Sequence, residues 1–330
     1  MASLNDVARL AGVSKSTVSR VINQEYGVKP ATIEKVNRAI EQCGYVVNQI
    51  AKDLKSSKTN LIGVIVPRVS SHAMSASVDG LSHAFDLKGK QVLLANTRQD
   101  DARICHYLDL FNQKRVEGIL LFASTLNPTV VQAIKRSSAP VVVIGQDGSP
   151  YNIPSVIHDD YRVGFCAGEQ LINAGCRQVG FLGVQAEDIA VDQQRYQGFE
   201  SALTTLTQTV PLFHYQGQFS IQSGYVAMTA MLEQYPDLDG VFCATDRIAI
   251  GAIQALQAQG ITPGHTVKLM GVGDDELAQV VSPSLSTFNY AFDAAGESGA
   301  KMLLELLETG QSHVSKLVMG FNYISRATCP

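Results

Sequence analysis

Short unbroken apolar runs punctuate most of the chain. They fall at 61–66 (LIGVIV), 92–95 (VLLA), 118–123 (GILLFA) and 141–145 (VVVIG), and again at 179–183 (VGFLG), 210–215 (VPLFHY), 240–244 (GVFCA) and 267–273 (VKLMGVG). Runs this short, rich in Val, Ile and Leu, are the pattern of parallel strands buried on both faces. Amphipathic stretches at helical spacing fill the intervals, near 76–88, 101–114 and 128–137 in the first series and near 161–175, 193–208, 222–234, 246–259 and 274–281 in the second. Each series predicts an open parallel sheet with helices on its faces, and two series in tandem predict two α/β lobes. Ligands of open α/β sheets bind at the carboxyl ends of the strands, so the loops after these runs are the candidate ligand contacts.

The first 60 residues follow a different pattern. Val7, Leu10 and Ala11 recur at helical spacing, Gly12 interrupts them, and Val13, Val18, Val21 and Ile22 resume the spacing. This predicts two short helices across a tight turn. Ser14 is the expected N-cap of the second, because its hydroxyl can satisfy backbone N–H groups that the first turn leaves unpaired. The outer face of that helix carries Lys15, Ser16, Thr17, Ser19 and Arg20. Short donors and acceptors with two cations suit phosphate oxygens and base edges in a major groove, although any solvated helical hairpin exposes similar residues.

Pro30 to Gln42 predicts a third helix, with the proline in its first turn, Ile33, Val36 and Ile40 facing inward and Gly44 past its end. Tyr45 is expected to pack there, a phosphate contact being the alternative. Residues 48–58, NQIAKDLKSSK, read either as a solvated connector or as a short helix capped by Asn48. The helix would carry Ile50, Ala51 and Leu54 on one side and Lys52 and Lys55 on the other.

At 330 residues the chain is long enough for two or three domains, and 45% hydrophobic with 17% charged residues indicates a globular protein with a substantial core. No run approaches the roughly 18 apolar residues of a membrane span. MASLNDVARL lacks the basic then apolar pattern of a secretory signal, so a cytoplasmic location without a membrane partner is expected. The formal net charge of −4 conceals an asymmetry: residues 1–58 hold nine Lys and Arg against five acids, the remainder seventeen against twenty-five. A basic end on an acidic body is the footprint of a chain that meets phosphate only at that end. Cysteines 43, 105, 166, 176, 243 and 329 lack CxxC spacing and the seven histidines lack metal-ligand spacing, so reduced thiols, no metal and no cofactor are expected. No GxGxxG after a strand, GxxxxGK[ST], GxSxG or HExxH is present, so no enzyme is expected.

Residues 4–23 carry a more specific motif. At Asp6, Val7, Ala8, Ala11, Gly12, Val13, Ser14, Thr17, Val18, Ser19, Arg20, Val21 and Asn23 the chain resembles the lactose/galactose repressor (LacI/GalR) family, whose signature runs DVAxxAGVSxxTVSRVxN. The resemblance covers essentially the whole length. It implies an all-α helix-turn-helix headpiece at 1–47, a hinge helix and linker at 48–60, and an effector-binding and dimerisation core at 61–330. That core is periplasmic-binding-protein-like, with two open parallel sheets and crossings near 158–161, 288–292 and 318–324. Lobe one would then be about 61–159 and 291–320, including a helix from about Asp293 to Glu308, and lobe two about 160–290 and 321–330.

The resemblance also implies a homodimer that reads palindromic operator DNA and a small sugar or sugar phosphate held between the lobes. Lys15 and Ser16 would begin base recognition beside Ser14 and Arg20, and Thr17, Ser19, Asn23 and Thr32 would hold phosphates. Asn48, Ala51 and Lys55 would bind at the hinge, where Leu54 would wedge the central base step. The implied effector contacts are Ser71, His72, Ala73, Gln146, His158, Arg195, Thr245, Asp246, Asp274 and Tyr290. Asp246 and Asp274 have an alternative reading as helix caps, and His158 as a structural histidine. Thr245 and Tyr290 stand where relatives often carry a polar amide, which leaves the sugar open.

Lobe closure would change the separation of the two hinges and so couple sugar to operator. No leucine heptad follows the core, so a dimer without a tetramerising tail is expected. NQIAKDLK, NQKRVEGI and FCATDR are most similar to sucrose operon repressors, which points to sucrose, fructose or a phosphorylated derivative. The alternatives are a trehalose or other sugar repressor, or a global carbon regulator of the same family that answers to a phosphocarrier protein. A solute-binding transport component would share the lobes but has no use for residues 1–58.

Overall fold

A computed structural model describes residues 2–23, 25–45, 59–185, 188–206 and 212–330. The chain divides between Thr59 and Asn60 into two compact units. The hinge residues Asn48, Ala51, Leu54 and Lys55 lie outside the described residues.

In the first unit, α1 (Leu4–Ala11) is fixed by a capping box: the Asp6 N–H donates to Ser3 Oγ at 3.3 Å and the Ser3 N–H donates to Asp6 Oδ2 at 3.0 Å. Gly12 ends it at φ 67°, a left-handed conformation that glycine adopts without strain. Ser14 opens α2 (Lys15–Ile22), accepting from the Thr17 N–H at 3.2 Å, and α3 spans Pro30–Cys43. Val7, Ala8, Val18, Val21, Val36 and Ala39 form the small core, with Tyr45 packed at its edge. Leu10 is 53% exposed and Ile33 38% exposed, against the expectation that both face inward. The buried stripe of α1 is centred on Val7, Ala8 and Ala11, which leaves Leu10 on its flank, and Ile33 sits at the margin of a stripe led by Val36 and Ala39.

Among the described residues, the second unit holds two six-stranded sheets. In chain order the first lobe contributes β1 (Leu61–Val66), α4 (His72–Asp86), β2 (Gln91–Asn96), α5 (Asp101–Gln113), β3 (Gly118–Phe122), α6 (Pro128–Arg136), β4 (Val141–Ile144) and β5 (Ser155–His158). The chain then enters the second sheet through α7 (Asp160–Asn173), β6 (Val179–Gly183), a π-helical turn (Ile189–Gln194), α8 (Arg195–Leu206), β7 (Leu212–Gln216), α9 (Ile221–Gln234), β8 (Gly240–Cys243), α10 (Asp246–Ala258), β9 (Lys268–Val272), α11 (Glu276–Val280) and β10 (Ser286–Tyr290). It returns with α12 (Phe292–Thr309) and β11 (Lys316–Met319) and ends beyond β12 (Phe321–Ile324) in the second sheet.

Strand order is β11-β5-β4-β3-β1-β2 in one sheet and β12-β10-β9-β8-β6-β7 in the other. All neighbours are parallel except β12, which runs antiparallel to β10. The exception follows from connectivity. β11 ends at Met319 opposite His158, at the carboxyl edge of its sheet, and only Gly320 separates it from β12. β12 therefore enters the second sheet from that sheet's carboxyl edge and runs against its neighbours.

The strand interiors follow the alternation of their side chains. Ile62, Val64 and Val66 face α4 and α12, whereas Ile65 faces α5 and α6. The VLLA run of β2 does not bury both faces, as Leu93 and Leu94 are exposed, because β2 is an edge strand with β1 as its only neighbour. Three helix pairs approach closely through glycine. A Cβ on Gly80 or Gly296 (α4 with α12), Gly164 or Gly198 (α7 with α8), or Gly224 or Gly251 (α9 with α10) would lie about 2 Å from a facing carbonyl oxygen. Side chains there would force the helices apart, so these backbones touch directly. The pair α5 and α6 contains no glycine and is tied by a side chain, Asn127 Nδ2 donating to Asp101 Oδ2 at 2.7 Å. All six cysteines are free thiols, and no described helix is long and apolar enough to cross a membrane.

Candidate functional site

The carboxyl edges of both sheets face a cavity of about 500 Å³ within the second unit. Helix starts converge on it. Ser71 caps α4, Thr245 caps α10 and Asp188 caps the π-helical turn, each accepting from a backbone N–H of its own first turn. Phe122, Phe219, Tyr290 and Phe292 give the cavity aromatic walls.

Its charges are spent on one another. Asp160 Oδ1 accepts from Arg195 Nε at 2.7 Å and from the Tyr290 hydroxyl at 2.9 Å, and lies 2.7 Å from Arg195 Nη2. Arg195 Nη1 also donates to the Ala244 carbonyl just past β8. Burial opposes the charge on Arg195, but the Asp160 carboxylate outweighs it and holds the guanidinium above its ordinary value. Arg247 Nε lies 3.4 Å from Asp275 Oδ2, and its Nη1 donates to the Ser70 carbonyl of the opposite lobe at 3.1 Å. Arg68 lays its guanidinium 3.6 Å over the Phe219 ring, also across the cleft, and burial pushes its pKa down to about 10 against the pull of Asp188.

The buried carboxylates are held from within. Asp188 Oδ1 accepts from the Val191 N–H at 3.1 Å and from Gln146 Nε2 at 3.3 Å, and burial raises its pKa to about 6. Asp246 accepts from Thr287 Oγ1 at 2.5 Å and from the Asp275 N–H at 2.7 Å, while burial raises it to about 7. His158 stacks on Tyr290 with ring centroids 4.2 Å apart, and burial lowers its pKa to about 4, so it is neutral at pH 7. Its Nε2 is buried and has no hydrogen-bond partner among the described residues.

Ser71, His72, Ala73, Gln146, His158, Arg195, Thr245, Asp246 and Tyr290 all line this cavity. Asp274 does not. Its φ of 52° turns the side chain away from the cleft, where its carboxylate accepts from Arg326 Nη2 at 2.6 Å and Asn289 Nδ2 at 3.0 Å. The next residue, Asp275, lines the cavity instead. Asp246 is not the cap of α10 either, because Thr245 takes that place.

In the first unit, Lys15, Ser16 and Arg20 are exposed on α2. Ser14 Oγ lies 2.7 Å from Ser16 Oγ and 2.8 Å from Thr17 Oγ1, so a hydroxyl cluster gathers at the start of a helix with no acid in its first turn. A helix start of this composition favours an anion. Arg20 braces the following loop, donating to the Tyr26 carbonyl at 2.7 Å, and Asn23 Nδ2 donates to Ser19 Oγ at 3.4 Å. Thr32 lies half-buried in the first turn of α3, and Tyr26 beside this face is fully exposed.

Residues 3–48 match the model of bacterial regulatory proteins of the lacI family, and residues 169–329 that of a periplasmic binding protein-like domain. The sucrose operon repressor of Staphylococcus xylosus is 31% identical over 310 residues, 93% of this chain and 94% of that protein. The chain belongs to the LacI family. It is a transcriptional regulator and not an enzyme. Catabolite control protein A of Priestia megaterium is 29% identical over 96% of both chains. The lac repressor dimer bound to operator and the anti-inducer ONPF superposes with a TM-score of 0.92 at 26% identity, over 99% of both chains.

In this LacI-family chain, sequence reasoning passed over Arg68, Asp160, Asp188, Phe219, Arg247, Asp275 and Phe292, all of which line the cleft. Asp160, Arg247 and Phe292 each sit one or two residues from a position that was singled out. Extending each candidate by the first helical turn would have found them.

Proposed function

We propose that the chain is a dimeric repressor that binds a palindromic operator through α2 and releases it in response to an uncharged sugar held between the lobes, sucrose being the leading candidate. The observation that carries this reading is the internally neutralised cleft. Arg195 is matched by Asp160 and Arg247 by Asp275, and Arg68 lies over Phe219 within the field of Asp188, so each of these three cations already has a carboxylate near it. A sugar needs hydrogen-bonding edges and apolar faces for its rings, which Gln146, His158, Thr245 and the aromatic walls supply. The volume of about 500 Å³ lies in the range of small-molecule sites and leaves room for a disaccharide.

Similarity to the Staphylococcus xylosus sucrose operon repressor supports sucrose, and likeness to the operator-bound lac repressor dimer supports DNA and a second copy as partners. The reading includes a cytoplasmic site of action on the nucleoid and a hinge at 48–60 whose Leu54 wedges the operator centre. A thermal-shift screen of sucrose, fructose, trehalose and their phosphates tests the effector. Sucrose at 100 times its Kd should stabilise the protein by about 2.7 kcal/mol. Stabilisation by a sugar phosphate with none by the free sugar would refute the uncharged reading. Loss of operator bending in Leu54→Ala tests the wedge, and unchanged bending removes it.

A further inference from the structure

Two of the three passages between the lobes meet at one carboxylate. Asp160 follows the passage that leaves the first sheet at His158, and Tyr290 ends β10 just before the passage that returns through Phe292. The Tyr290 hydroxyl donates to Asp160 Oδ1 at 2.9 Å, the His158 ring lies parallel to the Tyr290 ring within 4°, and Phe292 meets both rings edge-on. The same Asp160 oxygen takes Nε of Arg195, whose guanidinium lines the cleft. A ligand that moves Arg195 therefore pulls on an atom that both passages share.

We propose that Asp160 is a positioning residue that transmits effector contact at Arg195 to the two passages, with the Tyr290 hydroxyl as its outgoing link. This rests on the sugar and operator reading given above. Asp160 need touch neither sugar nor DNA. Its charge aims Arg195, and its bond to Tyr290 makes the angle between the lobes depend on where Arg195 sits.

The test uses the full-length protein, sucrose at saturation for each variant, and a palindromic duplex that the wild-type protein has selected from random sequence. The quantity read is the ratio of duplex affinity without sugar to that with it. Asp160→Asn keeps the shape and removes the charge; Tyr290→Phe keeps the ring and removes the hydroxyl that bonds Asp160. Each should lower the ratio at least fivefold. Because they break one path, the double variant should lower it no further than the more severe single. Asp160→Glu should restore part of the ratio lost in Asp160→Asn. A merely structural role would lower the melting temperature and leave the ratio at saturation unchanged, and that result overturns the proposal, as do independent effects that multiply in the double variant. If Asp160→Asn does not fold, Tyr290→Phe alone decides: a full ratio refutes the link. A wild-type protein with no sugar-dependent ratio at all would remove the sugar reading itself and this proposal with it.

Discussion

The helix pairs α5 with α6 and α7 with α8 cover the faces of equivalent sheets and are built by opposite means. In the first pair a side-chain bond from Asn127 to Asp101 sets the spacing, and no residue of either helix reaches the cleft. In the second pair Gly164 and Gly198 let backbone touch backbone, and the contact brings Asp160 beside Arg195. The pairs α4 with α12 and α9 with α10 share the second design and also deliver cleft residues, among them His72, Phe292 and Asp246. Where a wall must be placed accurately the chain uses direct backbone contact; where it only covers a sheet, ordinary side chains suffice.

Four measurements sharpen or break that contrast. Arg195→Ala should have the largest effect, because it leaves Asp160 charged and buried without its partner. A loss of about 3–5 kcal/mol in urea unfolding is expected together with loss of sugar response. A stable variant that still responds would show that the α7/α8 contact serves no polar purpose.

The second measurement concerns the neutral group that the first lobe offers to the cleft. The unfolded chain protonates His158 near pH 6.5, but the folded chain only near 4. Stability should therefore fall as pH drops through that window, by up to about 3 kcal/mol. His158→Gln should lose that part of the slope. Asp188 and Asp246, whose pKa values are raised, act in the opposite sense in both proteins, so the difference between the two isolates His158.

Gly198→Ala comes third. It places a Cβ 1.9 Å from the Tyr161 carbonyl oxygen, so it should cost about 1–3 kcal/mol and weaken, by calorimetry, binding of whichever sugar stabilises the wild-type protein. Asn127→Ala should be the mildest change. Loss of the α6 cap costs about 1 kcal/mol, and the sugar response should stay at its wild-type value. Altered sugar affinity in Asn127→Ala would erase the distinction between the two pairs.

Most of the scaffold was legible because buried parallel strands leave unbroken apolar runs, as in LIGVIV and VVVIG. The strands flanking the crossings were not among those runs. SVIH, STFNY and FNYI mix polar and apolar residues because they lie at or near sheet edges, and the first two also deliver His158 and Tyr290 to the cleft. The π-helical turn that carries Ala190 and Val191 to the cavity falls where the sequence pattern predicts loop before a helix near 193; Asp188 caps it and Asp192 accepts from the Val184 N–H, a contact that only the folded chain brings together.

At the cleft, loop positions after strands were readable, whereas side-chain direction was not. In the pair Asp274 and Asp275, the left-handed backbone of the first sends its carboxylate to Arg326 and leaves the cleft to the second. Arg195 enters from the family resemblance only as an effector contact. Its partner Asp160 lies 35 residues earlier in the chain, so only the folded packing of α7 on α8 reveals the pair.

The glycine contacts also bear on how such a regulator can change its signal. Because carbonyl and Cα atoms set the closest approach of those helices, a cleft side chain outside the Asp160–Arg195 pair and the helix caps can change without altering that spacing. His72 and Ile221, at the starts of α4 and α9, can be exchanged for residues that suit another small molecule while the frame around them keeps its dimensions. A cleft suited to a different small molecule is then within reach of a few point changes.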